Sequence, residues 1–245
     1  MTAARILAIF LAFLSTPSWA ANLGVTPVAI QMGGSINRTT VSVVNNGPEA
    51  VTMQAETIAW KRIDGVDQDG ETSDVMVNPA VFTIEPGQTQ IVRVGLRRPN
   101  EQSMEATYRL VLREVPVASD PTQGTSVRVL VAMRLPIYVA PDKIVQDEKW
   151  QVVSDARNNL QVTLYNRGNV HYKVGSIKVR ADDAKESTNV PLASSSEGAV
   201  LFPGESRTFT LKQMQSRPLK KMPVTLEVFT DRGPQTILTE LQKGD

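Results

Sequence analysis

Residues 125–141, TSVRVLVAMRLPIYVAP, alternate between apolar and mixed positions over an unusual length. Read at the two-residue period of a strand, Val127, Val129, Val131, Met133, Leu135, Ile137 and Val139 form one unbroken apolar face. Arg128, Leu130, Ala132, Arg134, Pro136 and Tyr138 form the other, which carries two cations. An ordinary strand runs about 5–6 residues, or roughly 17–20 Å. Extended throughout, the run from Val127 to Val139 would reach on the order of 40 Å at about 3.3 Å per residue. A face of that length has to be buried against something. Pro136 adds a second constraint, because a residue without an amide hydrogen puts the strand at a sheet edge or breaks it there. Residues 126–133 then precede the interruption as an edge showing four apolar side chains in alternation, a known aggregation hazard. Arg128 and Arg134 blunt it little, since they point to the opposite face. A hazard left in place suggests a use.

Helical periodicity is hard to find elsewhere in the chain. Short alternating runs rich in Val, Thr and Ile recur between Gly, Pro and Asn, which points to an all-β sandwich architecture. Residues 39–46, 50–60, 90–97 and 107–115 read as strands. After residue 141 the pattern restarts at 160–166, 172–180, 206–213 and 224–230. The polar segment 141–150 between the two sets opens with Pro141, as a linker or domain edge does. The halves also resemble each other. VSVVNNGPEAVTMQAETI in the first and VTLYNRGNVHYKVGSIKV in the second each run strand, Asn-x-Gly turn, strand. FTIEPGQTQIVRV and VLFPGESRTFTLK each enter a Pro-Gly turn before an alternating strand, Pro supplying a fixed φ and Gly a permissive one. The reading is two sandwiches of related plan in tandem, residues 21–141 and 142–245.

Residues 1–20 carry one positive charge (Arg5), an apolar run from Ile6 to Leu14 and the ending Ser18-Trp19-Ala20, with small residues at the two positions a signal peptidase reads. The expectation is a secretory signal, too short for a spanning helix. No later stretch approaches the roughly 18 apolar residues of a transmembrane helix, so an exported chain without membrane insertion is expected. With 26 Lys and Arg against 25 Asp and Glu, loss of Arg5 leaves a formally neutral mature chain. No basic block is long enough to track a phosphate backbone, which argues against nucleic acid as a partner. There is no cysteine, so each domain must be held by its hydrophobic core.

A single histidine, His171, leaves little for a transition-metal site or a nucleophile–base pair. His171 reads as a solvent-facing structural residue on a strand after a turn. DGVDQDGETSD, residues 64–74, reads as a polar loop and lacks the closing glutamate of a calcium loop. Carboxylates remain possible catalysts, as in a hydrolase on a β-sandwich, but the acids fall mostly in polar loops, so no metal, no cofactor and no catalytic activity are expected.

Three arginines sit among apolar strand residues. In TYRLVLREV, Arg109 and Arg113 share one face with Val111 and Val115, while Tyr108, Leu110 and Leu112 face the other way. Arg134 interrupts the long strand. A dry, unpaired guanidinium costs several kcal/mol. Each must therefore meet an internal carboxylate, reach solvent, or wait at a cleft for an outside anion.

Taken together, NPAVFTIEPGQTQIVRV (78–94), TYRLVLREVP (107–116) and VLVAMRLPIYVAP (129–141), in this order and spacing, resemble the periplasmic PapD-like chaperones that assemble pili by the chaperone–usher route. LYNRGNVHYKV (164–174) and LFPGESRTFTL (201–211) fall where the second domain of that family carries such segments. The resemblance implies two immunoglobulin-like β-sandwich domains with a cleft between them. It also implies a periplasmic location, pilin subunits and an outer-membrane usher as partners, and no cofactor.

In this family the last strand of the first domain is lent to a pilin that lacks its own final strand. By position the donors are Val127, Val129, Val131 and Met133, with Leu135, Ile137 and Val139 packing inside the chaperone. The family also holds the pilin's C-terminal carboxylate with basic residues in the cleft. This chain has no arginine in GVTPVAIQM (24–32), and the cleft lysine and arginine of the best-known branch fall on Pro136 and Ala140. It is closer to the Csu-type, or archaic, branch, in which the arginine of the TYRL strand anchors the carboxylate. Arg109 is then the first candidate, Arg134 the second and Arg113 the third, a fork of donors suiting a carboxylate better than a point charge. Glu105 falls on an acid that helps to fix the interdomain angle, and its usual arginine partner is missing. The alternative reading is an exported two-domain structural protein, an adhesin or pilus component, self-associating through the exposed edge.

Overall fold

The computed structural model describes residues 22–99, 101–116, 129–155, 157, 159–182, 190–214 and 219–243. All regular structure among these is strand. The first ten are β1 (Leu23–Thr26), β2 (Ile30–Gly33), β3 (Arg38–Asn45), β4 (Val51–Ile63), β5 (Val66–Gly70), β6 (Val75–Asn78), β7 (Val81–Ile84), β8 (Thr89–Leu96), β9 (Ala106–Glu114) and β10 (Ala132–Ala140). They form two facing sheets, ordered β1-β3-β8-β6 and β2-β10-β9-β4-β5, with β7 also on β4. Val41, Val43, Val92 and Val94 of one sheet pack with Met53, Leu110, Leu112 and Ile137 of the other in a single buried core.

The remaining strands are β11 (Glu148–Ser154), β12 (Leu160–Asn166), β13 (Tyr172–Ala181), β14 (Ala193–Ser195), β15 (Ala199–Leu201), β16 (Ser206–Gln213), β17 (Met222–Thr230) and β18 (Gly233–Lys243). They form one sheet, β14-β16-β12-β11-β18-β17-β13-β15, in which β14 pairs with β13 as well. The sheet thus curls back on itself around a separate core that includes Leu164, Tyr172, Ile177, Phe209 and Leu226.

All eight strands expected from alternation are present, two of them with the expected ends and the others with ends shifted by at most three residues. Two expectations need correction. The segment 64–74 is not a loop throughout. Asp64 and Gly65, at φ of 52° and 77°, make a two-residue turn, and Val66–Gly70 returns along β4 from Ile63↔Val66 to Ala59↔Gly70. Two successive positive φ values are what the twist of a tight hairpin requires. The polar segment expected to link the halves through residue 150 is shorter, because Glu148, Lys149 and Trp150 already belong to β11. Gly168 helps to hold that linker close: a Cβ there would lie 2.5 Å from the Val145 carbonyl oxygen.

The internal similarity has a physical basis in two asparagines. Asn45 is fully buried and donates its side-chain amide to the carbonyls of Glu49 (2.7 Å) and Ile84 (3.0 Å), while its Oδ1 accepts from Gly47 N–H (2.9 Å). Asn166 repeats the pattern with Val170 (2.9 Å), Leu201 (3.1 Å) and Gly168 (3.1 Å). Its backbone matches too: Gly87 N–H donates to Asn45 O and Gly204 N–H to Asn166 O, both at 2.8 Å. Each asparagine therefore clamps an Asn-x-Gly turn to a Pro-Gly turn far away in sequence.

The long alternating strand is divided. β10 pairs antiparallel with β9 from Ala132↔Arg113 to Val139↔Ala106, and parallel with β2 only from Ile137↔Ile30 to Ala140↔Gly33. Among the described residues, 132–136 thus keep one open side, and Pro136 is the last residue before the second neighbour begins. Leaving the carbonyls and amide of a clamp, some buried and some half-buried, without partners costs up to about 1–3 kcal/mol per group. Asn45→Ala and Asn166→Ala are each expected to lower stability by about 2–4 kcal/mol in urea denaturation; a loss below about 1 kcal/mol would show that the clamp carries little.

Candidate functional site

Register determines which side chains share the outer face of the β2-β10-β9-β4-β5 sheet. Opposed residues in an antiparallel pair point the same way, and β9 and β10 set Pro136 opposite Arg109 and Arg134 opposite Val111. β4 sets Ile58 opposite Arg109, while β5 sets Asp69 opposite Trp60 and Asp67 opposite Arg62. Tyr138, Pro136, Arg134, Arg109, Arg113, Glu56, Trp60, Arg62, Asp67 and Asp69 consequently lie on one surface, opposite the core.

On that surface the arginines meet internal carboxylates. Arg109 Nη1 donates to Asp69 Oδ1 at 2.8 Å and Nη2 to Asp67 Oδ2 at 2.5 Å, with its guanidinium 4.1 Å from the Trp60 ring centroid. Its side chain is only 15% exposed. A cation stacked on an indole and held by two acids is firmly oriented. Arg134 bonds the other oxygen of Asp69 and is 44% exposed. Arg62 bonds Asp67 (2.9 Å) and Glu205 (3.2 Å). Arg113 stands apart, paired with Glu56.

Arg109 and Arg134 are therefore brought together through Asp69, and Arg113 is not. Burial works to raise the Asp67 pKa, but hydrogen bonding from Arg62, Arg109 and the Trp60 indole holds it below the usual carboxylate range. Arg134 and then Arg109 lower Asp69 in the same direction. The stability these pairs contribute is present above the ordinary aspartate value of about 3.9 and is lost as the pH falls through the lowered folded-state values. The Trp60 Nε1–H is buried on the side of Asp67.

The other expected site is the approach to β10. Val127 lies outside the described residues. Val129 is 74% exposed and Leu130 43%. Val131 is half-buried, and the ladder reaches it through Glu114 N–H donating to its carbonyl (2.9 Å). Met133 already packs on the first core, beside Leu135, Ile137 and Val139, which are buried in it. Apolar surface left to bury is therefore concentrated at Val129 and Val131, next to the open side of the strand.

One end of the face is covered by the second sandwich. Trp60, Tyr138 and Phe202 form a small buried cluster, with the Trp60 and Phe202 rings edge to face at 4.9 Å. His171 stacks on Tyr138 at 3.7 Å. The Tyr138 hydroxyl is pushed up to about 12 by burial, with Glu105 and Asp231 adding to the effect.

The expectation of a solvent-facing His171 is wrong: its side chain is 8% exposed. Its Nδ1 lies 2.8 and 2.9 Å from the two oxygens of Glu105, and its Nε2 lies 3.5 Å from Asp231. An ionised carboxylate only accepts, so the Nδ1 proton points to Glu105. Glu105 has thus found a histidine in place of an arginine. Beside it Asn169 donates to the carbonyls of Ser103 (2.7 Å) and Lys143 (2.8 Å), tying the second sandwich to the first and to the linker.

Trp60, Arg62, Asp67, Asp69 and His171 were not legible as site residues. For the aspartates a signal did exist: Asp64-Gly65 is a hairpin dipeptide, and a return strand would have placed acids beside a β4 that carries Trp60 and Arg62. His171 offered none, because its burial is supplied by residues of the other sandwich.

Residues 22–145 match the family described as pili and flagellar-assembly chaperone, PapD N-terminal domain. No curated protein sequence matches the chain. Among solved structures, one chain of the CsuC–CsuE chaperone–tip adhesion subunit pre-assembly complex, from archaic chaperone–usher Csu pili of Acinetobacter baumannii, superposes with a TM-score of 0.57. Identity is 15%, over 92% of this chain and 100% of that one. The E. coli chaperone DraB gives 0.57 at 17% identity, over 91% and 98% of the two chains. The Salmonella enterica SafA pilin–SafB chaperone complex gives 0.57 at 14%, over 92% and 97%. At such identities the likeness is one of fold.

The Glu105 side chain is only 2% exposed, so removing its partner leaves an uncompensated buried charge. His171→Ala is expected to cost about 3 kcal/mol in denaturation and to broaden the range of interdomain angles seen by small-angle scattering. An unchanged scattering profile together with unchanged stability would show the contact to be incidental.

Proposed function

Since the chain belongs to the pili and flagellar-assembly chaperone family, we propose that it captures and folds pilin subunits in the periplasm by lending them a strand, then passes them to an outer-membrane usher. The supporting observation is the apolar approach to β10, where Val129 is 74% exposed beside an open strand edge. A subunit groove lined with apolar side chains would bury Val127, Val129 and Val131, each burial being worth roughly 1.5–3 kcal/mol before ordering costs. Main-chain bonds from the open side would add affinity without demanding a particular subunit sequence. Capture of this kind makes and breaks no covalent bond, so it calls for no catalytic group.

In this reading the two units, residues 21–141 and 142–245, flank the cleft, and Arg109 anchors the subunit's terminal carboxylate with Arg134 beside it. Arg113 is the weaker choice, because it sits with Glu56 away from the Arg109–Asp69–Arg134 group. Glu105 and His171 hold the angle at which the second unit closes the cleft.

Co-expression with exported candidate pilins, followed by purification of the tagged chain from the periplasm, is expected to yield a one-to-one complex. Val129→Asp combined with Val131→Asp should abolish capture, and normal complex from that variant would refute strand lending. Arg109→Ala should leave the chain folded and weaken binding by about 2–5 kcal/mol, as loss of one member of a buried charge pair does; an unchanged affinity would remove Arg109 from the anchor. Recovery of the chain alone with every candidate, as a defined self-associated species, would favour the exported structural protein instead.

A further inference from the structure

The group around Arg109 is already electrically complete. Arg62, Arg109 and Arg134 supply three positive charges, and Asp67, Asp69 and Glu205, their ion-pair partners, supply three negative ones. Both terminal nitrogens of Arg109 are occupied, each by a different carboxylate. A carboxylate arriving from outside would have to share the guanidinium with both acids and would bring an uncompensated negative charge to a partly buried place, an unfavourable event unless an acid leaves.

The two acids are placed where leaving is easy. They sit on β5, which among the described residues has β4 as its only neighbour, and which exposes all five of its residues. Few buried contacts and a single hydrogen-bonded flank are the marks of a segment that opens locally at little cost.

We propose that Asp67 and Asp69 act as built-in carboxylate ligands of Arg109 and Arg134, holding the arginines ready and yielding them only when a subunit's terminal carboxylate displaces the acids. The proposal rests on the reading of Arg109 as the anchor. The hairpin of β4 and β5 is then an internal competitor. It keeps the cleft from retaining stray anions, and it weakens subunit binding enough for hand-over.

The probe is a synthetic peptide of alternating Val and Thr, prepared with a free C-terminal carboxylate and again as the C-terminal amide. Each is titrated calorimetrically into the whole mature chain at low ionic strength. Asp67→Asn combined with Asp69→Asn is expected to bind the acid peptide at least tenfold more tightly than the natural chain, with no gain for the amide. Asp69→Asn alone, which keeps Asp67 on Arg62 and Arg109, is expected to gain about threefold and serves if the double variant is misfolded by circular dichroism.

Acid binding that is unchanged or weaker in the folded variants would overturn the competitor role while leaving the anchor reading in place, provided the natural chain still prefers acid to amide. An acid preference that survives Arg109→Ala would overturn both. So would the absence of any acid preference in the natural chain and the variants alike.

Discussion

The side chains of β10 alternate between two unlike surroundings, and the rest of the site depends on that alternation. Leu135, Ile137 and Val139 are buried in the first core. Arg134, Pro136 and Tyr138 must then face outward, toward the surface that the second sandwich partly covers. A slip of one residue would exchange the two sets, driving a guanidinium into the core and three aliphatic side chains into water. Burial of the apolar face therefore determines the register, and the register places Pro136 opposite Arg109 and Arg134 opposite Val111. Among the described residues β2 flanks this strand only from Ile137 to Ala140, so its two halves differ in how far they are enclosed.

Electrostatics does on the outer face what packing does on the inner one. Arg109 is pinned between the Trp60 ring and two aspartates, and Arg62 spans Asp67 of one sandwich and Glu205 of the other. Charges this poorly solvated must be compensated locally, and the compensation makes the surface specific. The same rule governs the contact between the sandwiches: Glu105 is buried only because His171 and the His171 backbone N–H reach it. The Tyr138 ring stacks on His171 beside that pair. The two halves are thus joined by a few buried polar bonds with a small apolar patch, and not by a continuous core.

The parts of this arrangement that were legible in the sequence share one property, which is that neighbours in the chain cause them. Alternation in residues 107–115 and 125–141 reports faces, because successive Cβ atoms of a strand point oppositely. The Asn-x-Gly and Pro-Gly pairs reported turns, and the repeat of both in each half anticipated the two asparagine clamps. β5 escaped notice because it is exposed on both faces, and a strand without a buried side has no hydrophobic period to show. The fate of the arginines was legible only as a choice among carboxylate, solvent and external anion.

By itself the sequence determined the strands, their turns and the grouping of side chains into faces, since these follow from steric and periodic rules that operate within a few residues. Only the tertiary structure decided which charges meet. Arg109 finds its acids 40 and 42 residues away, Arg134 finds Asp69 at 65, and His171 finds Glu105 at 66. Coulombic attraction and desolvation act through space and not along the chain, so the partners of a buried charge become identifiable only once the sheets have brought them together.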